Sequence, residues 1–264
     1  MSQSVLDSHA LSDVRNNDTM KKQGFMVIPF PRELLIALQQ HIGNFIRRLS
    51  EDKHLSLTEI VTSLPDPEFV GKFHKAFRIF PDSIGSQMHS WASKFSRFLG
   101  GEQVSINYVC DSEREKNPTL KQESYDIFWR CVRPGKPDVG KPHCDYQFWE
   151  IAKGTKDEPI CPIQYTERWK IWLPISGCNQ TNSLQVIPGS HNEEIPIEII
   201  QTKYGAKPDI RDEWLKKNEN RFICPLEQFA DCCILFHDKL VHRGPANHNT
   251  DLRMSGELTM LLKL

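Results

Sequence analysis

The feature that most constrains this chain is a change of hydrophobic period near Gly100-Gly101. Before it, apolar residues recur at helical spacing. Leu34, Leu35, Leu38, Ile42, Phe45, Ile46 and Leu49 follow Pro31, a residue suited to the start of a helix. Ser56-Leu57-Thr58-Glu59 spells a capping box for a short helix that must stop before Pro65. Ile84, Met88, Trp91, Ala92, Phe95, Phe98 and Leu99 make a third stripe, closed by the two glycines. One short strand, 24–29, interrupts this helical half. After the glycines the helical period gives way to short runs of Val, Ile, Leu, Trp and Cys with Gly, Pro and Asn at the joints. Strands are expected at 103–110, 126–133, 169–175, 183–187, 232–236, 240–243 and 253–262. The charged stretch 111–124 is expected to be a loop, and 204–220 an inserted helix or surface loop.

Helices first and strands after predict an α+β chain. The strand half would fold as a double-stranded β-helix (jelly roll), with the N-terminal helices packed on one side of it. No clean linker interrupts the sequence. One domain over 1–264 is expected, with a polar, flexible N-terminus at 1–22 and a jelly-roll core at 103–262.

Composition removes several classes of function. Hydrophobic residues at 39% and charged residues at 25% suit an ordinary globular protein. A formal net charge of −1 gives no reason to expect nucleic acid or a membrane surface as a partner. No apolar run approaches the roughly 18 residues of a membrane span, and Met1 to Met20 lack the apolar segment of a secretory signal. The eight cysteines form no Cys-x-x-Cys pair, so free thiols in a reducing cytoplasm are expected rather than zinc or disulfides. Oligomeric state is left open.

Chemistry enters at Lys141-Pro142-His143-Cys144-Asp145-Tyr146. Two side chains at i and i+2 on a strand share a face. A His and a carboxylate presented that way, with a second His from another strand, can form a 2-His-1-carboxylate triad that leaves metal positions open. Alone, a His-x-Asp tripeptide is most often a surface accident. Three later stretches change its weight: Asn182 to His191, ending in Pro188-Gly189-Ser190-His191; Leu235 to Asn247, containing His242; and Asp251-Leu252-Arg253-Met254-Ser255.

Together, and in this order, these stretches resemble the phytanoyl-CoA dioxygenase family of non-haem Fe(II)/2-oxoglutarate dioxygenases. The resemblance runs from about Asp126 to Leu262, and residues 1–100 share only its general character. It implies that His143, Asp145 and His242 hold Fe(II), and that Arg253 binds the distal carboxylate of 2-oxoglutarate, with O2 as second co-substrate. Independently of the family, a planar guanidinium suits a carboxylate because it donates two parallel hydrogen bonds. A turn over 247–250 would join two antiparallel strands that aim His242 and Arg253 into one barrel mouth.

Other residues are weighed against the same pattern. His237 is the rival for the distal ligand, but its odd spacing from His242 points it to the opposite face of a common strand. His191 is expected to shape its turn and His248 to meet solvent. His9, His41, His54, His74 and His89 fall in the helical half and are expected to be structural. Trp172 matches a family aromatic of the co-substrate pocket, with a core tryptophan as the alternative. Asn182 and Asn247 are expected to hold turns. Some members carry a hydroxyl two residues after the distal His, where this chain has Gly244. Ser255, Thr259 or a residue of 126–133 would have to replace it. Asp145 fills the position that halogenating relatives leave open for chloride, so hydroxylation or a related oxidation is expected, with release of succinate and CO2.

Arg130, Arg133, Lys141, Arg168, Lys170 and Arg243 cluster in sequence around the predicted mouth. They are either a solvated rim or a recognition surface for an anion. Arg130, Arg133 and Arg243, with Tyr146 and Gln147, are the substrate-binding candidates. Phe148 and Trp149 also follow the ligands and could line that side. The substrate expected is a small, anionic or glycan- or lipid-linked molecule: an acidic sugar of lipopolysaccharide such as Kdo, an acyl-CoA, an amino acid or a natural-product precursor. Two other classes compete. A non-catalytic jelly-roll binding module has no need of His143, Asp145, His242 and Arg253 together. A zinc hydrolase on the same ligands leaves Arg253 without a task and lacks an evident general base.

Overall fold

The computed structural model describes residues 18–69, 82–98, 103–106, 127–155, 167–202, 205–227 and 231–263. Expectations for 1–17, 107–110, 111–124, Gly100-Gly101, Cys110 and Cys161 fall outside them. The first part of the chain runs α1 (Asp18–Gln23), β1 (Phe25–Pro29), α2 (Arg32–Arg47), α3 (Leu57–Ser63), α4 (Asp66–Phe69) and α5 (Asp82–Phe98). It continues through β2 (Gln103–Ile106), β3 (Phe128–Val132), α6 (Asp145–Ala152), β4 (Glu167–Ser176), β5 (Gln185–Val186), β6 (Ile197–Thr202) and β7 (Gly205–Ile210). It ends with α7 (Asp212–Asn218), β8 (Cys232–His237), β9 (His242–Arg243) and β10 (Arg253–Lys263).

The helical half forms as its periodicity dictates. Pro31 precedes the first residue of α2, and Leu34, Leu35, Leu38, Ile42 and Ile46 are the buried stripe. At α3 the capping box is complete: Ser56 Oγ accepts from the Glu59 N–H at 3.2 Å, and Glu59 Oε2 accepts from the Ser56 N–H at 2.7 Å.

The main sheet is antiparallel with strand order β1-β8-β4-β10-β2, and β3 pairs with β10 ahead of β2. Strand alternation separates its faces. Ile171, Leu173 and Ile175 of β4, Cys233 and Leu235 of β8, and Met254, Leu258, Met260 and Leu262 of β10 pack on the helices, where Leu38, Ile46 and Met88 are fully buried. Each such side chain contributes about 1.5–3 kcal/mol by leaving water. The other face presents Trp172, Ile234 and Phe236, which meet Phe25, Leu184, Val186, Leu226 and Leu240. That second core joins the main sheet to a smaller one, in which β5 pairs with β9 and single bridges add His143 beside His242 and Ile223 beside Val186. Two sheets with helices on one outer face give the expected jelly roll.

Three expectations change. Residues 18–23 of the supposedly flexible N-terminus form α1, held by the Pro188-Gly189 turn: Asn192 Nδ2 donates to the Lys21 carbonyl at 3.0 Å and His191 Nε2 lies 3.2 Å from it. Gly24 allows this approach, because a Cβ there would stand 2.3 Å from His191 Nδ1 and its φ is +78°. Residues 25–29, outside the 103–262 span, supply the edge strand β1. In 204–220 the expected helix is α7, but the hairpin β6–β7 precedes it. Most side chains of β6 are exposed, and β7 contains Pro208 and buries the consecutive residues 208–210, so no alternation marked these strands in the sequence.

Candidate metal centre

His143 and His242 meet across the small sheet. Each backbone N–H donates to the other's carbonyl at 3.0 Å, and the imidazole centroids are 4.4 Å apart. Asp145 reaches the same point by a different route. The tripeptide is not a strand: His143 makes a single β-bridge, Cys144 is extended, and Asp145 is the first residue of α6. Cys144 is fully buried among Ile187, Ile210 and Val241, which anchors the turn from bridge to helix. The ligand atoms of His143, Asp145 and His242 all lie within 4.8 Å of one another. His143 Nε2 stands 3.7 Å from Asp145 Oδ1, and His242 Nε2 stands 3.7 Å from Asp145 Oδ2.

Hydrogen bonding fixes the tautomers. His143 Nδ1 faces the Lys141 carbonyl and His242 Nδ1 the Leu240 carbonyl, both at 2.9 Å. A carbonyl only accepts, so each Nδ1 carries the proton and each Nε2 offers a lone pair to the centre. Burial, reinforced by His242, pushes His143 down to about 4, so it is neutral at physiological pH. Burial would raise Asp145, but Lys170, His242 and His143 outweigh it and hold the carboxyl below its usual range. Two imidazole nitrogens and one carboxylate suit a divalent metal.

A second feature lies beside the triad on the large sheet. In β10 every other residue is polar: Arg253, Ser255, Glu257 and Thr259. Arg253 is 3% exposed and has no carboxylate partner among the described residues. Its Nη1 donates to the Asn182 carbonyl, and to the Pro245 carbonyl at 3.2 Å, while its Nε has no acceptor. Gly244 makes room for it: a Cβ there would lie 3.0 Å from Nη2 and 3.3 Å from Nη1. Besides Arg253 Nε, buried polar atoms without a hydrogen-bond partner among the described residues include His242 Nε2, Asp145 Oδ2 and Ser255 Oγ. Buried orphans of this kind call for a missing partner. A metal at the triad and a dicarboxylate reaching Arg253 fit them.

The remaining candidates separate clearly. Trp172, 3% exposed, belongs to the inner core and sits opposite Glu257 across the sheet. Arg130 is exposed on β3, directly opposite Ser255. Arg133 is a correction: it is buried, bonded to Asp138, Asp66 and the Leu64 carbonyl, and stacked on Phe69, so it supports the fold. Arg243 is committed to Gln185, Glu219 and the Phe222 ring. Tyr146 points to Arg168 and Lys239, and Gln147 lies beside the Cys144 thiol, because successive helical residues diverge. Phe148 instead meets the His143 ring edge-on at 5.7 Å. Lys141 pairs with Asp209, Arg168 with Asp238 and Lys170 with Glu257, so the basic cluster is largely neutralised internally.

Other sequence expectations have definite outcomes. His237 accepts from the Lys239 N–H and packs on Trp169 and His191, away from the triad; it ends β8, a different strand from His242. His242 and Arg253 also lie in different sheets, so the 247–250 turn crosses between layers instead of closing a hairpin. Asn182 and Asn247 are fully buried and bond one another and nearby carbonyls, as loop-holding residues do. Thr259, one of the stand-ins for a hydroxyl at 244, is engaged by Lys170. Cys131, Cys144, Cys178, Cys224, Cys232 and Cys233 are free thiols. No helix is long and apolar enough to cross a membrane among the described residues. Sequence reasoning missed Glu257, although the alternation of polar residues in β10 marked it.

Comparison with known proteins agrees with this geometry. The family model for phytanoyl-CoA dioxygenase (PhyH) matches residues 65–255. The zebrafish (Danio rerio) phytanoyl-CoA dioxygenase domain-containing protein 1 is 26% identical over 168 residues, which cover 63% of this chain and 52% of that protein. Among solved structures, EctD from S. alaskensis with bound Fe aligns with a TM-score of 0.56 at 14% identity, covering 99% of this chain and 79% of EctD. The epimerase SnoN, in complex with Fe3+, alpha ketoglutarate and nogalamycin RO, aligns at 0.53 with 12% identity, covering 97% and 84%. These two distant structures share the fold, and the family match spans both histidines and Asp145. The chain belongs to the phytanoyl-CoA dioxygenase family of Fe/2-oxoglutarate dioxygenases, with His143, Asp145 and His242 as its facial triad.

Proposed function

We propose that this chain oxidises a small organic substrate, with 2-oxoglutarate and O2 as co-substrates, and inserts a hydroxyl group. The observation that carries this reading is the pairing of a convergent triad with a buried guanidinium that has no carboxylate partner among the described residues. Fe(II) held there would supply the oxygen-activating chemistry. The chain's own residues bind and orient. His143 and His242 present Nε2 because backbone carbonyls hold their Nδ1 protons. Arg253 fixes the far carboxylate of 2-oxoglutarate, and Ser255, with its unpartnered hydroxyl, contributes a further hydrogen bond. Trp172 closes the apolar side of the co-substrate pocket.

The substrate approaches past Phe128 and Phe148, two exposed aromatic rings near the triad. Phe128 neighbours Lys170 and Phe148 neighbours His143. Arg130 lies on the same strand face as Phe128 and has no carboxylate partner among the described residues. An anionic group on an otherwise apolar or ring-bearing molecule suits this mouth: an acidic sugar, an acyl thioester, an amino acid or a natural-product precursor. The test is a panel of such molecules incubated with protein, Fe(II), 2-oxoglutarate and O2. Succinate release should depend on one of them, with a mass gain of one oxygen, and Asp145→Ala should abolish it. Full coupled turnover in Asp145→Ala would refute the assignment.

A further inference from the structure

Lys170 and Glu257 form a buried ion pair to which the proposed reaction gives no task. Lys170 is 4% exposed. Its ammonium lies 2.8 Å from Glu257 Oε1, 3.0 Å from Thr259 Oγ1 and 3.5 Å from Asp145 Oδ2. The ammonium thus pairs with Glu257, donates to Thr259 and stands at ion-pair distance from an oxygen of the triad. The sheet sets this geometry. Lys170 pairs directly with Thr259, Trp172 pairs with Glu257, and Lys170 reaches Glu257 on the diagonal.

The centre thus contains a second carboxylate only one ammonium away from Asp145. Carboxylate oxygens are good donors to divalent iron and manganese. A glutamate free to swing into the cavity could occupy a position that the triad leaves open for 2-oxoglutarate. We propose that Lys170 is a positioning residue that ties Glu257 away from the metal, while the same ammonium steadies Asp145, so that the centre keeps three protein ligands rather than four. This rests on reading His143, Asp145 and His242 as the metal site.

The test uses redox-inert Mn(II) and needs no turnover. Mn(II) is titrated calorimetrically into the wild type, Lys170→Met and the double variant Lys170→Met/Glu257→Gln, and 2-oxoglutarate is then titrated into each Mn(II)-loaded protein. In Lys170→Met, Mn(II) affinity should hold or tighten while 2-oxoglutarate binding weakens by about tenfold or more. The double variant should return 2-oxoglutarate binding to within about threefold of wild type. A purely structural ion pair would lose Mn(II) and 2-oxoglutarate binding together in Lys170→Met, and that outcome also overturns the proposal. The proposal is overturned if Lys170→Met binds 2-oxoglutarate like the wild type, or if the double variant remains as weak as the single one. Should Lys170→Met fail to fold, Lys170→Gln replaces it, alone and combined with Glu257→Gln, and the same contrast between single and double variant decides. A wild type that takes up Mn(II) but no 2-oxoglutarate overturns the co-substrate reading, and this proposal with it.

Discussion

His143 and His242 exchange both backbone hydrogen bonds, each at 3.0 Å, so their side chains are a directly opposed cross-strand pair. Such a pair shares one face of the sheet. The backbone, with the two Nδ1 contacts, therefore aims both imidazoles before any metal arrives. A preformed site binds metal without paying to order its ligands, and the binding free energy stabilises the folded state. Mn(II) at about a hundred times its dissociation constant should add about 2.7 kcal/mol. For a chain of this size that raises Tm by several degrees. His242→Ala should remove the rise, as read by differential scanning calorimetry with and without metal. An equal rise in that variant would place the metal elsewhere.

Stability without metal should depend on pH through His143. Burial, with His242, lowers His143 from 6.5 to about 4 in the folded state. Between those values the unfolded chain binds the extra proton, so folding stability rises with pH through that window and falls as pH drops from 6.5 towards 4. One such group gives a slope of at most about 1.4 kcal/mol per pH unit. Urea unfolding of chelator-treated protein should show the slope, and His143→Asn should flatten it. An unchanged profile in that variant would assign the acid sensitivity to other groups.

Arg253 and Gly244 offer a way to disturb the co-substrate anchor without touching a metal ligand. A methyl group at 244 would stand 3.0 Å from Nη2, closer than ordinary contact allows. Gly244→Ala should displace the guanidinium and raise the KM for 2-oxoglutarate by about tenfold, the worth of one charged hydrogen bond. Arg253→Lys keeps the charge but loses the planar fork, so it should weaken 2-oxoglutarate at least as much. Mn(II) affinity should stay put in both. If it falls in parallel, the two sites are not separable.

Much of this architecture was written in periodicity. The α2 stripe, the capping box at Ser56 and the strand β10 all follow from residue spacing and turn chemistry. His143, Asp145 and His242 were legible because their types and order are distinctive. What the sequence hid was context. Nothing local says that Asp145 starts a helix instead of ending a strand, since Cys144 sets that turn by packing against Ile187, Ile210 and Val241 from distant segments. In the hairpin β6–β7 most of β6 is exposed and the buried residues of β7, Pro208, Asp209 and Ile210, are consecutive, so neither strand alternates. The basic cluster misled because partners such as Asp138, Asp209, Asp238 and Glu257 meet their cations only in three dimensions.

Arg130 and Arg133 turn that last point into an experiment, because they sit three residues apart and face opposite duties. Arg133 donates to Asp138 through two nitrogens, reaches Asp66 and stacks 4.0 Å from the centre of the Phe69 ring. Removing it takes both guanidinium hydrogen bonds from Asp138, which is 7% exposed. Breaking such a pair costs about 3 kcal/mol, at the low end of the usual range because Asp66 lies in solvent. Arg133→Ala should therefore lower Tm markedly while the surviving folded protein binds 2-oxoglutarate normally. Arg130 is exposed and has no ion-pair partner among the described residues, so Arg130→Ala should change stability by less than about 0.5 kcal/mol. If Arg130 receives the anionic end of the substrate, the same variant raises the substrate KM by about tenfold and leaves the KM for 2-oxoglutarate alone. Thermal melts and coupled succinate assays on the two variants separate these outcomes. A substrate KM that does not move in Arg130→Ala would remove the anion from the proposed substrate and leave the aromatic mouth of Phe128 and Phe148 to select it.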